Sequence, residues 1–254
     1  MSDHEPAGGT LGPPGAPALP AHVPWRVREG LGLLAIFILL QAIFAALSEK
    51  LSLAGAGLGF QIGASNALTL MVLWAILRGR SGGSRQASAA IALRGFGRGW
   101  ASRLFVPAAA GVAALLAWFQ AQSALLRYLD IRPPPQEIIT RIEALLGRGD
   151  WEQVALLALL AVAVVPLTEE LIFRGVLYLP LRARLGRPGA ALLVSALFAA
   201  VHLHLAGVGH LFILALVFTW LLESTGTLLA PVLAHALHNA VVIGVLVLLR
   251  GRLG

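Results

Sequence analysis

The sequence predicts an all-α protein, a polytopic transmembrane helical bundle of about eight membrane helices (7–8) plus one short amphipathic interfacial helix. Three observations carry that prediction. Of 254 residues, 58% are apolar and 12% charged, against roughly 45–50% and about 25% in soluble globular domains. Mean hydropathy is +0.82. The apolar residues fall in continuous runs rich in Leu and Ala, which suits helices, whereas a membrane β-barrel would alternate in short segments. Cysteine is absent, which removes disulfide and thiolate chemistry.

Residues 1–24 hold several Gly and Pro residues with scattered charge and no periodicity, and read as a disordered cytoplasmic tail. They make a poor signal peptide. The polar lead is long and partly acidic, and no small-x-small site follows the first oily run. Arg26 and Arg28 precede a first span at 30–47 and suggest a cytoplasmic N-terminus. A second span is expected at 58–77, followed by an arginine-rich loop through Trp100.

Arg78, Arg80, Arg85, Arg94, Arg98 and Arg103 crowd this stretch, and charge bias assigns it to the cytoplasm. The net charge of +7 is carried mostly by arginine. No nucleic-acid partner is expected, because zinc-finger spacing and interleaved aromatic and basic residues are both missing. A third span is expected at 104–126. Its Gln120 and Gln122 should face other helices or sit at the helix end.

Pro133-Pro134-Pro135 cannot continue a helix. Residues 136–146 interleave Ile138, Ile139, Ile142, Leu145 and Leu146 with Glu137, Arg141 and Glu143. That pattern is a short amphipathic helix, lying at the interface or capping the bundle. Oily segments then crowd together at 154–167, 171–181, 190–205, 211–222 and 228–249. Several fall short of the roughly 20 residues that span a bilayer. Pro166 should kink or break the first of them.

Eight crossings place Arg182, Arg184 and Arg187 on the outer side. Joining 151–181 into one broken span brings them inside and sends Arg250 and Arg252 out. Eight is preferred, to within one. The chain thus divides into a tail (1–24), an N-terminal membrane part with the basic loop and amphipathic helix (25–149), and a C-terminal membrane core (150–254).

Thr168-Glu169-Glu170-Leu171-Ile172-Phe173-Arg174 lies within that core, preceded by an uncharged run at 154–167. A charge at mid-bilayer depth costs about 2.5–3.5 kcal/mol on insertion scales. Glu170 and Arg174, four apart, share a helix face and can pair. Glu169 is rotated by about 100° and can point elsewhere. Taken alone, the group is also compatible with a structural ion cluster at a helix end near the interface, the less favoured reading.

Polar groups interrupt oily sequence at three more places. His202 follows Phe198 by one turn on the same face, while His204 is turned about 200° from His202. His235 and Asn239 are also one turn apart, with His238 at the edge of their face. His210 falls at a helix boundary where it can reach water. Glu169, His202, His235 and Asn239 come from three separate helices, and one shared polar cavity accommodates all four.

That set suffices for amide hydrolysis. The glutamate takes a proton from water and a histidine orients that water. A second histidine and an amide donate to the oxygen that turns negative. Ser195 lies near the face of His202 but about 10 Å away along the axis, and no Gly-x-Ser-x-Gly elbow is present. Water attack is therefore the better reading. Glu169, His202 and His235 also make a reasonable zinc shell with water in the fourth position. No His-Glu-x-x-His occurs, and metal-activated and glutamate-activated water both remain open.

Glu169-Glu170-x-x-x-Arg174, Phe198-x-x-x-His202 and His235-x-x-x-Asn239, in that order, resemble the three signature motifs of the CPBP family. These are the CAAX-protease and bacteriocin-processing intramembrane proteases, which include the eukaryotic Rce1-type endoproteases. The likeness covers about residues 150–245. It implies that Glu169 and His202 activate water, that His235 and Asn239 support the oxyanion, and that Glu170 and Arg174 shape the site. The family has been described both as metalloprotease and as glutamate-type, so one divalent metal or none is implied.

The expected partners are a membrane protein or peptide substrate and the lipid bilayer. The Ala-, Gly- and Arg-rich composition with very few lysines is that of a high-GC bacterium, which implies the bacterial cytoplasmic (inner) membrane. Two other functions compete with an intramembrane endopeptidase. One is a non-catalytic immunity or partner protein on the same scaffold. The other is a proton-coupled transporter, which an internal repeat would favour, and none is visible between the two halves.

Overall fold

The computed structural model describes residues 18–51, 57–131, 137–203 and 205–250. Among them every regular element is helical. The first helices are α1 (Val27–Lys50), α2 (Gly57–Ser81), α3 (Ser84–Ala90) and α4 (Trp100–Tyr128). The short α5 (Glu137–Leu146) follows. A continuous helical run then passes through α6 (Trp151–Leu159), a π-helical segment π1 (Leu160–Val164) and α7 (Val165–Glu170). It continues through a second π segment, π2 (Leu171–Tyr178), and α8 (Leu179–Val201). A single 3-10 turn leads to α9 (Val208–Thr225) and α10 (Leu229–Arg250).

Six stretches are long and apolar enough to cross a bilayer: α1, α2, α4, the run Trp151–Val201, α9 and the stretch Leu229–Leu249. About eight were expected. The difference lies in the run, which takes in three expected segments: those at 154–167 and 171–181 form one helix, and most of that at 190–205 follows in the same stretch. Pro166 does not break it. In π1 the N–H of Val165 bonds back to Leu160 O, five residues earlier. In that register the carbonyl of Ala161 would take its hydrogen from residue 166, and proline has none to give. The amide of Asn239 supplies it instead, with Nδ2 2.8 Å from Ala161 O. Pro180 leaves Val176 O in a similar position, four residues earlier, and the indole Nε1 of Trp25 donates to that oxygen at 3.0 Å.

The run is interrupted only at Gly186, whose φ of 70° and ψ of 175° are non-helical. A residue with a Cβ would be strained at that φ. Pro188 then lies within the helical arm that leads to His202.

The largest apolar core surrounds π2, with Ile172, Phe173, Val176 and Leu177 fully buried against α1, α2, α3, α8 and α9. The expected amphipathic helix is observed as α5. It packs Ile142 and Leu145 on Val154 and Leu157 of α6 and on the far end of α10. Gln122 of α4 faces another helix connection, as expected, and donates to the carbonyl of Ala206. Residues 18–24, expected as tail, are not detached. Leu19 is buried, and Ala18 O accepts from Arg94 at 2.9 Å. Residues 1–17 and Pro133-Pro134-Pro135 lie outside the described residues.

One end of the bundle gathers the basic residues. Arg80 pairs with Glu29, Arg94 Nε donates to Gly226 O at 2.9 Å, and Leu228 N–H donates to Ala92 O at 2.9 Å. Arg182 and Arg187 meet Glu223 at the end of α9. Arg182, Arg184 and Arg187 therefore share an end with the arginine-rich loop. This corrects the eight-crossing arrangement, which separated them, and the cause is the unbroken helix through Pro166.

Candidate active site

The site is built where α7 meets the C-terminal end of α8 and the first turns of α10. Glu169 and Glu170 are adjacent on α7, so their side chains leave the helix in different directions. Both are buried. π1 and π2 flank this turn, and π segments shift the faces on either side by about one residue.

Glu170 turns inward. Its Oε1 is 3.1 Å from Arg174 Nη1, one turn along. The Arg174 guanidinium also donates from Nη2 to Ala215 O of α9 at 2.8 Å. It lies over the rings of Phe198 and Phe218, 4.9 and 5.4 Å from their centroids. A fully buried guanidinium is thus held by one carboxylate, one carbonyl and two aromatic faces.

The same Glu170 oxygen is 3.1 Å from His235 Nδ1 of α10. The carboxylate can only accept there, so Nδ1 carries the proton. The His235 ring stacks on Phe218, with centroids 4.9 Å apart, and meets Phe198 edge-on at 6.0 Å. Its Nε2 points at Glu169 Oε2, 3.9 Å away.

His202 closes the other side. Its Nδ1 is 2.7 Å from Phe198 O. A carbonyl only accepts, so Nδ1 is again the donor. Nε2 is 3.9 Å from Glu169 Oε1. The His202 side chain is 29% exposed, and it forms the open edge of the cluster. Phe198 is fully buried and contacts His202 as well as His235 and Arg174, with ring centroids 4.7 Å apart in the His202 pair.

The Glu169 carboxylate therefore sits between two imidazole Nε2 atoms, each at 3.9 Å. With its Nδ1 proton committed to Phe198 O, a neutral His202 ring presents an acceptor, Nε2, to an acceptor, Glu169 Oε1. Such a gap is satisfied by a donor such as water, which reaches two acceptors at once. Glu169 Oε2 is buried without a hydrogen bond to any protein group.

Glu169, Glu170, Arg174, Phe198, His202 and His235 are thus brought together as the motifs predict. Asn239 lies one turn beyond His235, with Nδ2 donating to Ala161 O. Ser195 is fully buried on α8. His204 lies outside the described residues. His210 pairs with His238, their ring centroids 5.4 Å apart.

Among the described residues, no group of three His, Cys, Asp or Glu side chains is arranged to hold a metal ion. Glu169, His202 and His235 nevertheless face one another, and their residue types are those of a zinc shell. Each histidine addresses a different oxygen of the Glu169 carboxylate, His202 Nε2 facing Oε1 and His235 Nε2 facing Oε2, each at 3.9 Å.

A second polar cluster is not legible in the sequence. The Tyr178 hydroxyl donates to Glu223 Oε1 at 2.8 Å, and Arg182 Nε donates to the same oxygen at 2.5 Å. Arg187 Nε lies 3.1 Å from Glu223 Oε2. The buried polar strip Ser65, Asn66 and Thr69 of α2 is likewise not legible in the sequence, and these side chains bond mainly within α2.

Searches of curated proteins and of solved structures give no match. Residues 151–241 match the family described as type II CAAX prenyl endopeptidase Rce1-like, so the chain contains a region matching the family that its three motifs resemble.

Proposed function

We propose that this chain is an intramembrane endopeptidase that hydrolyses a peptide bond of a membrane-associated protein or peptide. The observation that carries the proposal is the Glu169 carboxylate, buried and held between two histidine Nε2 atoms at 3.9 Å. A water in that gap donates one proton to Glu169 and the other to His202 Nε2. As the water oxygen attacks the scissile carbonyl, Glu169 takes the first proton as general base and later returns it to the leaving amine.

His235 stands on the other side. Doubly protonated, it donates from Nε2 to the forming oxyanion while Nδ1–H stays on Glu170. The cluster is then balanced, with two carboxylates against Arg174 and His235. Asn239 has two amide protons. One is engaged by Ala161 O, and the other is assigned to the oxyanion. Phe198 keeps both imidazoles in register.

The membrane setting follows from the six apolar stretches. The arginine-rich end, and with it the N-terminus, is assigned to the cytoplasmic side on charge bias. The bacterial inner membrane is assigned on composition alone, and α5 is assigned to the interface.

The test is cleavage of a panel of membrane-embedded and C-terminally tagged peptides by purified protein in detergent. Wild type is run beside Glu169→Gln and His202→Ala, each with and without a zinc chelator. Cleavage by wild type alone, indifferent to chelator, supports glutamate-activated water. Loss with chelator and recovery with zinc replaces that route with a metal-activated one. No cleavage of any peptide transfers the scaffold to a non-catalytic role.

A further inference from the structure

α9 and α10 meet through two ring pairs. The first is Phe218 on His235, part of the glutamate–histidine cluster. The second is His210 on His238, with ring centroids 5.4 Å apart and ring planes inclined at 39°. His210 lies in the first turn of α9, and His238 stands near the middle of α10, one residue before Asn239.

This second pair is unlike the other site histidines. His202 and His235 each commit Nδ1, to Phe198 O and to Glu170. Among the described residues neither His210 nor His238 has a hydrogen-bonded or ion-paired partner. Both are half-buried between membrane helices rather than sealed in the core. Unused imidazole nitrogens in oily surroundings cost free energy until something bonds to them.

Two imidazoles facing each other from two helices are a donor set for a transition-metal ion, which takes the neutral ring as ligand. On a tetrahedral zinc, with each nitrogen about 2.0–2.1 Å from the ion, two imidazole centroids stand about 5 Å apart. The observed separation of 5.4 Å is close to that value. Water completes the coordination. Magnesium and calcium, which take oxygen ligands, have no comparable donors in the pair.

We propose that His210 and His238 bind one divalent transition-metal ion, zinc in the first instance, and that the ion ties the start of α9 to α10 beside Asn239. The site shares no ligand with the glutamate–histidine cluster. It does not depend on peptide hydrolysis.

Zinc binding to the full chain tests this, with protein purified in detergent through a tag that contains no histidine. Binding is read by competition with a chromophoric chelator, and the unfolding midpoint is taken with and without zinc. Wild type is run beside Glu169→Gln/His202→Ala, which removes two alternative ligands. Both should bind zinc and show a raised midpoint, as a ligand of the folded state alone requires.

His210→Phe and His238→Phe keep a ring against the remaining histidine but remove one ligand. Each, made in the Glu169→Gln/His202→Ala background, should weaken binding by roughly 100-fold or more, since loss of even an outer-shell partner costs 10–100-fold. The midpoint shift should vanish with it. Magnesium should give no shift in any variant. If a phenylalanine variant does not run monodisperse, His210→Gln takes its place.

Failure of wild type to bind zinc overturns the proposal, as does an equal shift with magnesium. Binding that survives loss of either histidine shows a plain ring contact and overturns it too. Binding that Glu169→Gln/His202→Ala abolishes would place the ion in the glutamate–histidine cluster instead.

Discussion

Glu170 Oε1 is shared by two partners from opposite sides, Arg174 Nη1 one turn along its own helix and His235 Nδ1 from α10, each at 3.1 Å. The pairing with His235 spans 65 residues of sequence. It fixes the imidazole so that Nε2 faces Glu169. The second glutamate of the motif therefore acts through the histidine and the arginine, while the first faces the gap.

His235→Gln tests this separation. A glutamine amide can still donate to Glu170, but it brings no protonated ring nitrogen to the Glu169 side. The variant should unfold within about 1 kcal/mol of wild type. Its peptide cleavage should fall by about 100-fold or more, the usual cost of losing an oxyanion donor. Thermal unfolding in detergent and initial cleavage rates check the two halves of the statement.

Asn239 and Pro166 should be energetically coupled. Pro166→Ala restores an N–H that can take up Ala161 O, which Asn239 now serves. Asn239→Ala should cost about 1–3 kcal/mol in the native background, the penalty of an unpaired carbonyl. In the Pro166→Ala background the cost should shrink by about 1 kcal/mol. A double-mutant cycle on unfolding midpoints reads this directly, and strict additivity contradicts it.

Arg174→Lys is not a conservative change. A lysine ammonium cannot reach Glu170 and Ala215 O together as a planar fork does, nor lie flat between Phe198 and Phe218. Loss of the pair should cost about 3–5 kcal/mol, the range for breaking a buried ion pair. Reduced thermal stability, with aggregation on solubilisation, is the expected readout.

Gly209 sets the approach of α9 to α4. A Cβ there would run into the indole of Trp118, so Gly209→Ala should cost about 1–3 kcal/mol through overpacking. Adding Trp118→Leu should recover part of the loss. Failure of the second change to recover any stability would show that the two helices do not meet at this point.

Much of the cluster was legible because charge inside oily sequence is expensive and therefore conspicuous. The spacing of Glu170 and Arg174 foretold their pairing, and the direction of Glu169 followed from its one-residue offset. The span count was less legible. Pro166 looks like a breaker in sequence, and only the π register of 160–164, with Asn239 arriving from α10, shows how the helix passes through it.

The Tyr178–Glu223–Arg182 cluster was hidden for another reason. Glu223 stands beside Ser224, Thr225 and Gly226 and reads as a polar turn. Its partners lie 41 and 45 residues away, where local periodicity carries no information. The facing of the two imidazoles was also beyond the sequence, since residue types suggest zinc but only the fold shows each Nε2 turned to its own oxygen of Glu169.

The most direct measurement is a paired one on Glu169→Gln and Glu170→Gln, with cleavage rate and unfolding midpoint taken from the same preparations. Glu169→Gln should be folded, close to wild type in stability, and inactive. Glu170→Gln should lose about 3–5 kcal/mol of stability as Arg174 is left uncompensated, with activity falling alongside. Equal loss of stability in both variants, or cleavage surviving in Glu169→Gln, would contradict the assignment of Glu169 as the base.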